Sequence, residues 1–152
     1  MTEQEIRALL NKLLKDVFRK VLRLQEKEVS RATGSHISRT EMHMLEAIGD
    51  SPKATLTGVA EELGITKATA SVSASRLEKK KYIEKVKSAK DKRLNILKLT
   101  EKGEYCCAKH RQFHETMIER LLRDFKISEY PEVLASFQRL ADFFAEFETN
   151  KK

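Results

Sequence analysis

Between Thr66 and Lys79 the chain sets short hydroxyls and cations at close spacing: Thr66, Lys67, Thr69, Ser71, Ser73, Ser75, Arg76 and Lys79. Hydroxyls both donate and accept hydrogen bonds, and cations neutralise phosphates. The chemistry this set can perform is therefore the gripping of a polyanion and the reading of base edges. A second knot follows at Lys90, Asp91, Lys92 and Arg93, where no core is served. Residues 64–102 hold twelve Lys or Arg against four acids, a balance of +8 in a chain of net +7, so the other 113 residues sum to −1. A basic block in a balanced chain is the footprint of a phosphate-binding face. The plain alternative is a solvated charged surface. A third set, His43, His110 and His114 with Cys106 and Cys107, has the side chains of a metal site.

These residues need elements to hold them. The 152 residues fit one domain or one domain with appended helices, and five Gly, two Pro and 35% charge describe a mostly helical chain. From residue 3 to about 31, Ile6, Leu10, Leu13, Val17, Val21 and Leu24 form one stripe on a long amphipathic helix that needs a partner. Gly34 breaks it. Ser38, with Glu41 three residues on, caps a short second helix whose Met42, Leu45 and Ile48 or Ala47 face inward until Gly49 stops it. Thr55 or Thr57 caps a third helix ended by Gly64, and Thr66 caps a fourth with Ala70, Ala74 and Leu77 buried. Two short helices joined by a Gly-containing turn are the sequence form of a helix-turn-helix.

The fourth helix is the expected reader, because its Ser and Thr are poor helix formers whose presence local stability does not explain. Lys67, Thr69, Ser71, Val72 and Ser75 are the expected base-edge or groove contacts, and Thr66, Arg76 and Lys79 the phosphate contacts. Tyr82 to Val86 and Leu94 to Leu99 should pair as a hairpin, with Tyr82 or Ile83, Val86, Leu94, Ile96 and Leu99 as its apolar positions. A hairpin after a recognition helix is a wing. Lys92 and Arg93 at its tip would approach the minor groove, with Asp91 orienting them. Thr100 caps a further helix, and after a break near Lys126 to Pro131 a last helix carries Val133, Phe137, Leu140, Phe144 and Phe147 as core or subunit interface. Reaching two half-sites of a pseudo-palindromic duplex calls for a two-fold homodimer.

Residues 55–103, TLTGVAEELGITKATASVSASRLEKKKYIEKVKSAKDKRLNILKLTEKG, resemble the MarR family of winged-helix regulators, including the D-[KR]-R tip at Asp91 to Arg93 and L-T-x-x-G at Leu99 to Gly103. The resemblance implies a mainly α fold with a small β-hairpin wing (α+β). It implies an N-terminal dimerisation helix at 1–32, a winged helix-turn-helix at 37–102 and C-terminal dimerisation helices at 103–152. The chain departs from it in placing Lys81 where relatives usually have Gly before the wing, and in the Cys106-Cys107 pair. ISRTEMHMLEAIG at 37–49 and HRQFHETMIERLL at 110–122 are similar to the FabT branch, repressors of fatty-acid synthesis genes that respond to long-chain acyl groups on acyl carrier protein. That reading implies an effector pocket near His43, His110, His114, Met42 and Phe113, with no resident cofactor.

Zinc held by His43, His110 and His114 is the weaker alternative, since the acidic ligands of zinc-responsive relatives are not clearly matched. A redox role for Cys106 is weaker still. The competing class is a basic protein-interaction module that binds an acidic partner such as acyl carrier protein without reading DNA. Nothing marks an enzyme: there is no Gly-rich phosphate loop, GxSxG or HExxH. No apolar run approaches the roughly 18 residues of a membrane span, and MTEQEIRALL lacks signal-peptide order, so a cytoplasmic protein is expected.

Overall fold

Reciprocal capping starts the first helices. Thr2 Oγ1 accepts the Glu5 N–H and Glu5 Oε2 accepts the Thr2 N–H, opening α1 (Glu3–Lys12). The same exchange between Ser38 and Glu41 opens α3 (Arg39–Asp50), as the sequence predicts. The computed structural model of the chain describes residues 1–91 and 94–149. Between those two helices, a π-helical segment (Leu13–Val17) leads into α2 (Phe18–Thr33), which Gly34 ends at φ 68°. Next come α4 (Leu56–Glu62), α5 (Lys67–Lys79), the antiparallel strands β1 (Ile83–Lys87) and β2 (Asn95–Leu99), and α6 (Glu101–Phe125). A 3-10 turn (Ile127–Glu129) and α7 (Pro131–Thr149) follow. The fold is mainly α with a two-stranded hairpin, as expected.

The chain divides into two compact units, Met1–Arg111 and Gln112–Lys152. The core of the first gathers Val29 of α2, Met44 and Leu45 of α3, Val59 of α4, Ala70, Ala74 and Leu77 of α5, Ile83 and Leu97 of the hairpin, and Cys106 of α6. The α5 series is the one that the sequence predicts. Two expectations need correction here. Gly49 does not stop α3, which runs through Asp50; a Cβ on Gly49 would stand 3.0 Å from Leu99 Cδ1, so the glycine makes room for the hairpin. Leu94 does not face inward but is exposed, and Leu97 is the buried residue. The register pairs Ile83 with Leu99 and Lys85 with Leu97, so Leu97 and Leu99 share the core-facing side of β2, and the expected set of Leu94, Ile96 and Leu99 mixed the two faces.

The root of the hairpin explains L-T-x-x-G. Thr100 Oγ1 accepts the Gly103 N–H and donates to the Lys81 carbonyl at 2.7 Å, while the Thr100 N–H reaches the Tyr82 carbonyl. A Cβ on Gly103 would lie 2.2 Å from that same Tyr82 oxygen, a distance no side chain tolerates. Tyr82 is fully buried, hydrogen-bonded through its hydroxyl to Ser35 at 2.6 Å, with Lys102 Nζ 4.2 Å over its ring.

The stripe on α1 and the segment after it buries nothing inside the chain: Ile6, Leu10, Leu13 and Val17 are all exposed. In the second unit, Val133, Phe137, Leu140 and Phe144 of α7 are exposed too, and Phe147 lies outside the residues whose side chains are described. Among the described residues no helix is long and apolar enough to cross a membrane.

Candidate nucleic-acid interface

Both helices of the helix-turn-helix end in the same double hydrogen bond. After α4, the Ile65 N–H reaches the Ala60 carbonyl and the Gly64 N–H that of Glu61, with Gly64 left-handed at φ 62°. After α5, the Tyr82 N–H reaches Leu77 and the Lys81 N–H reaches Glu78, with Lys81 left-handed at φ 63°. The left-handed conformation is one that glycine adopts freely, as Gly64 does after α4. After α5 a lysine adopts it under strain. Thr55 caps α4 through the Gly58 N–H, and Thr66 caps α5 through the Thr69 N–H.

With Ala70, Ser73, Ala74 and Leu77 turned inward, α5 presents Lys67, Thr69, Ser71, Val72, Ser75, Arg76 and Lys79 outward, all exposed. Thr66 is exposed as well, its hydroxyl 2.9 Å from that of Thr69. Every α5 residue expected to contact DNA thus shares the open side of the helix. Ser73, grouped with these hydroxyls in the sequence, is instead 7% exposed, because its position falls on the packed face. The acid on the open side, Glu78, is paired to Lys85 Nζ at 2.7 Å, which leaves the face cationic.

Beside this face lies a groove of about 390 Å³ lined by Thr69, Val72, Ser73 and Arg76 of α5 and by Ser38 and Thr40 at the start of α3. Sequence reading missed Ser38 and Thr40 as members of the surface, since only the packing of α3 on α5 brings them there. It also missed the pair that fixes this packing. Lys80 Nζ contacts both Glu41 oxygens, at 2.8 and 3.0 Å, and donates to the His36 carbonyl at 2.8 Å. Burial works against ionisation of Glu41, but hydrogen bonds from Lys80 and the Ser38 N–H, with the Lys80 charge, outweigh it and hold the carboxyl below its ordinary range.

The hairpin is tied to the helix-turn-helix. Leu97 N–H donates to the Ala54 carbonyl at 2.8 Å, and Ile96 bridges Thr55. At the tip, Ser88 Oγ accepts the N–H groups of Lys90 and Asp91, and the Asp91 carbonyl accepts the Leu94 N–H. Lys92 and Arg93 lie outside the described residues.

The expected effector residues fall in both units. His110 is buried at 3% exposure, with Nδ1 2.6 Å from Glu46 Oε1 and Nε2 against the Gln25 side-chain amide, so it joins α6 to α3 and α2. Met42 is buried with its sulfur 3.9 Å from Cys106 Sγ, whereas His43 is exposed. Phe113 and His114 belong to the second unit, their rings edge to face at 5.7 Å. Among the described residues no three His, Cys, Asp or Glu side chains are grouped to hold a metal ion. Burial pushes the Cys106 thiol up to about 12, aided by Cys107, and the Cys107 thiol up to about 11, aided by Glu46. Reactivity belongs to the thiolate, which burial disfavours at both cysteines.

A family profile described as MarR family matches residues 37–94. An uncharacterized HTH-type transcriptional regulator of Bacillus subtilis, YhjH, is 25% identical over 123 residues, 81% of this chain and 67% of that protein. The structure of Streptococcus pneumoniae FabT in complex with DNA superposes with a TM-score of 0.82 at 32% identity, over 96% of this chain and 99% of that one. YusO from Bacillus subtilis shares the fold at a TM-score of 0.74 and 18% identity, over 93% and 99% of the two chains.

Proposed function

Because the chain belongs to the MarR family, we propose that it is a sequence-specific regulator that binds double-stranded DNA as a homodimer and represses transcription. The observation that carries this reading is the open side of α5, where hydroxyls and cations stand exposed and the one acid is neutralised by Lys85. The likeness to FabT, a protein crystallised with DNA, supports it over the length of the chain. In this reading Lys67, Thr69, Ser71, Val72 and Ser75 meet base edges, Thr66, Arg76 and Lys79 meet phosphates, and Lys92 and Arg93 follow the minor groove with Asp91 orienting them. The exposed apolar faces of α1, α2 and α7 meet a second copy, since faces of this size do not stay in water.

The finer reading is the FabT branch: operators at fatty-acid synthesis genes, with long-chain acyl-acyl carrier protein as corepressor. The 32% identity favours it. A gel shift against the gene's own upstream region and a random duplex tests both levels. Tighter binding to the upstream region is expected, strengthened by acyl-acyl carrier protein. Equal binding to both duplexes would reject sequence-specific recognition, and an unchanged shift with the acyl carrier would reject the corepressor.

A further inference from the structure

Val72 stands out on α5. Between Gln25 and Asp91 it is the only large hydrophobic among the described residues that is exposed, at 53%. The other exposed large apolar side chains lie on α1, α2, α6 and α7 and in the segments adjoining them, apart from Leu94 beside the hairpin tip. A β-branched residue on an open helix face gains nothing from burial and is a poorer helix former than alanine. Ala68, one turn earlier and also exposed, extends the apolar strip by about 6 Å of helix rise. The strip is narrow and fenced by Lys67, Thr69, Ser71 and Arg76, so it is too small to seat a protein partner. The major groove offers one apolar feature of matching size, the C5-methyl of thymine.

We infer that Val72 is a specificity-determining residue that packs on a thymine methyl in each half-site, discriminating thymine from cytosine and uracil. This rests on the DNA-binding reading above. The flanking hydroxyls and Lys67 supply polar contacts around the methyl, while Val72 supplies the selection against bases that lack it.

The test selects duplexes from a randomised pool with the intact protein, then replaces each thymine singly by deoxyuridine, which removes only the methyl. One position per half-site should lose about four-fold in affinity, as expected for one buried methyl. In Val72→Ala the same replacement should change affinity by less than about two-fold. Thermal melting will show that Val72→Ala folds, since the side chain is exposed. Lys79→Ala, which weakens all DNA, should retain the full methyl effect. Tight duplexes without a methyl-sensitive position, or an effect that persists in Val72→Ala, would overturn the inference and leave DNA binding standing. Failure to select any duplex would remove the DNA-binding reading and this inference together.

Discussion

Lys80 Nζ stands 2.8 Å from Oε1 of Glu41, a carboxylate that is only 3% exposed. The contact spans 39 positions of sequence and locks the end of α5 to the start of α3. Removing the lysine leaves a buried charge without its partner, so Lys80→Ala should destabilise the protein by about 2 kcal/mol, at the low side for a buried pair because Lys80 itself is partly open to solvent. Glu41 is held below its ordinary range. Its contribution is therefore full above the unfolded carboxyl value and is lost as pH falls through the lower folded value. Urea melts between pH 7 and pH 3 should show this loss, and Glu41→Gln should flatten it.

Lys81 holds φ 63° without the freedom of glycine. Lys81→Gly should raise stability by about 1 kcal/mol, the strain relieved exceeding the entropy glycine adds to the unfolded chain. Lys81→Val should lower it by a similar amount. Denaturant midpoints at constant slope give both values, and a destabilised Lys81→Gly would contradict the strain.

Gly103 and Gly34 make a paired test. A Cβ at Gly103 would meet backbone oxygen at 2.2 Å, whereas at Gly34 nothing lies within 4 Å. Gly103→Ala should destabilise by about 3 kcal/mol or prevent folding, by overpacking against backbone that cannot turn aside. Gly34→Ala carries only the left-handed penalty of about 1 kcal/mol.

On DNA, Lys79→Ala should weaken operator and random duplex alike and reduce the slope of log affinity against log salt by about 0.9. Arg93→Ala should weaken the operator selectively by about 1–3 kcal/mol if the wing reads its groove. Fluorescence anisotropy over a salt series separates the two. Equal loss on both duplexes would mark Arg93 as a phosphate contact.

The thiols of Cys106 and Cys107 are buried and shifted upward, to about 12 and about 11. At pH 8 an aromatic disulfide reagent should label neither until urea unfolds the chain. Rapid labelling of the native protein would restore the redox reading.

Local rules made much of the architecture legible. The caps at Ser38, Thr55, Thr66 and Thr100 and the buried series Ala70, Ala74 and Leu77 depend on neighbours within one or two helical turns, so sequence displays them. The exposed side of α5 follows from the same periodicity, and Val72 with it. What escaped was set across the chain. Leu97 faces the core because of strand parity fixed by pairing with Lys85, and Gly49 sits inside a helix because Leu99 leans on it. The Glu41–Lys80 pair and the Ser38–Thr40 side of the groove exist only once α3 lies on α5. Lys81 was visible as a departure from its relatives, but its meaning needed a dihedral angle.

The bond from Leu97 to Ala54, with the bridge from Ile96 to Thr55, anchors β2 beside the first turn of α4. Backbone hydrogen bonding there closes the hairpin onto the helix that precedes α5, so β2 and α4 share a seam and not merely a connecting length of chain.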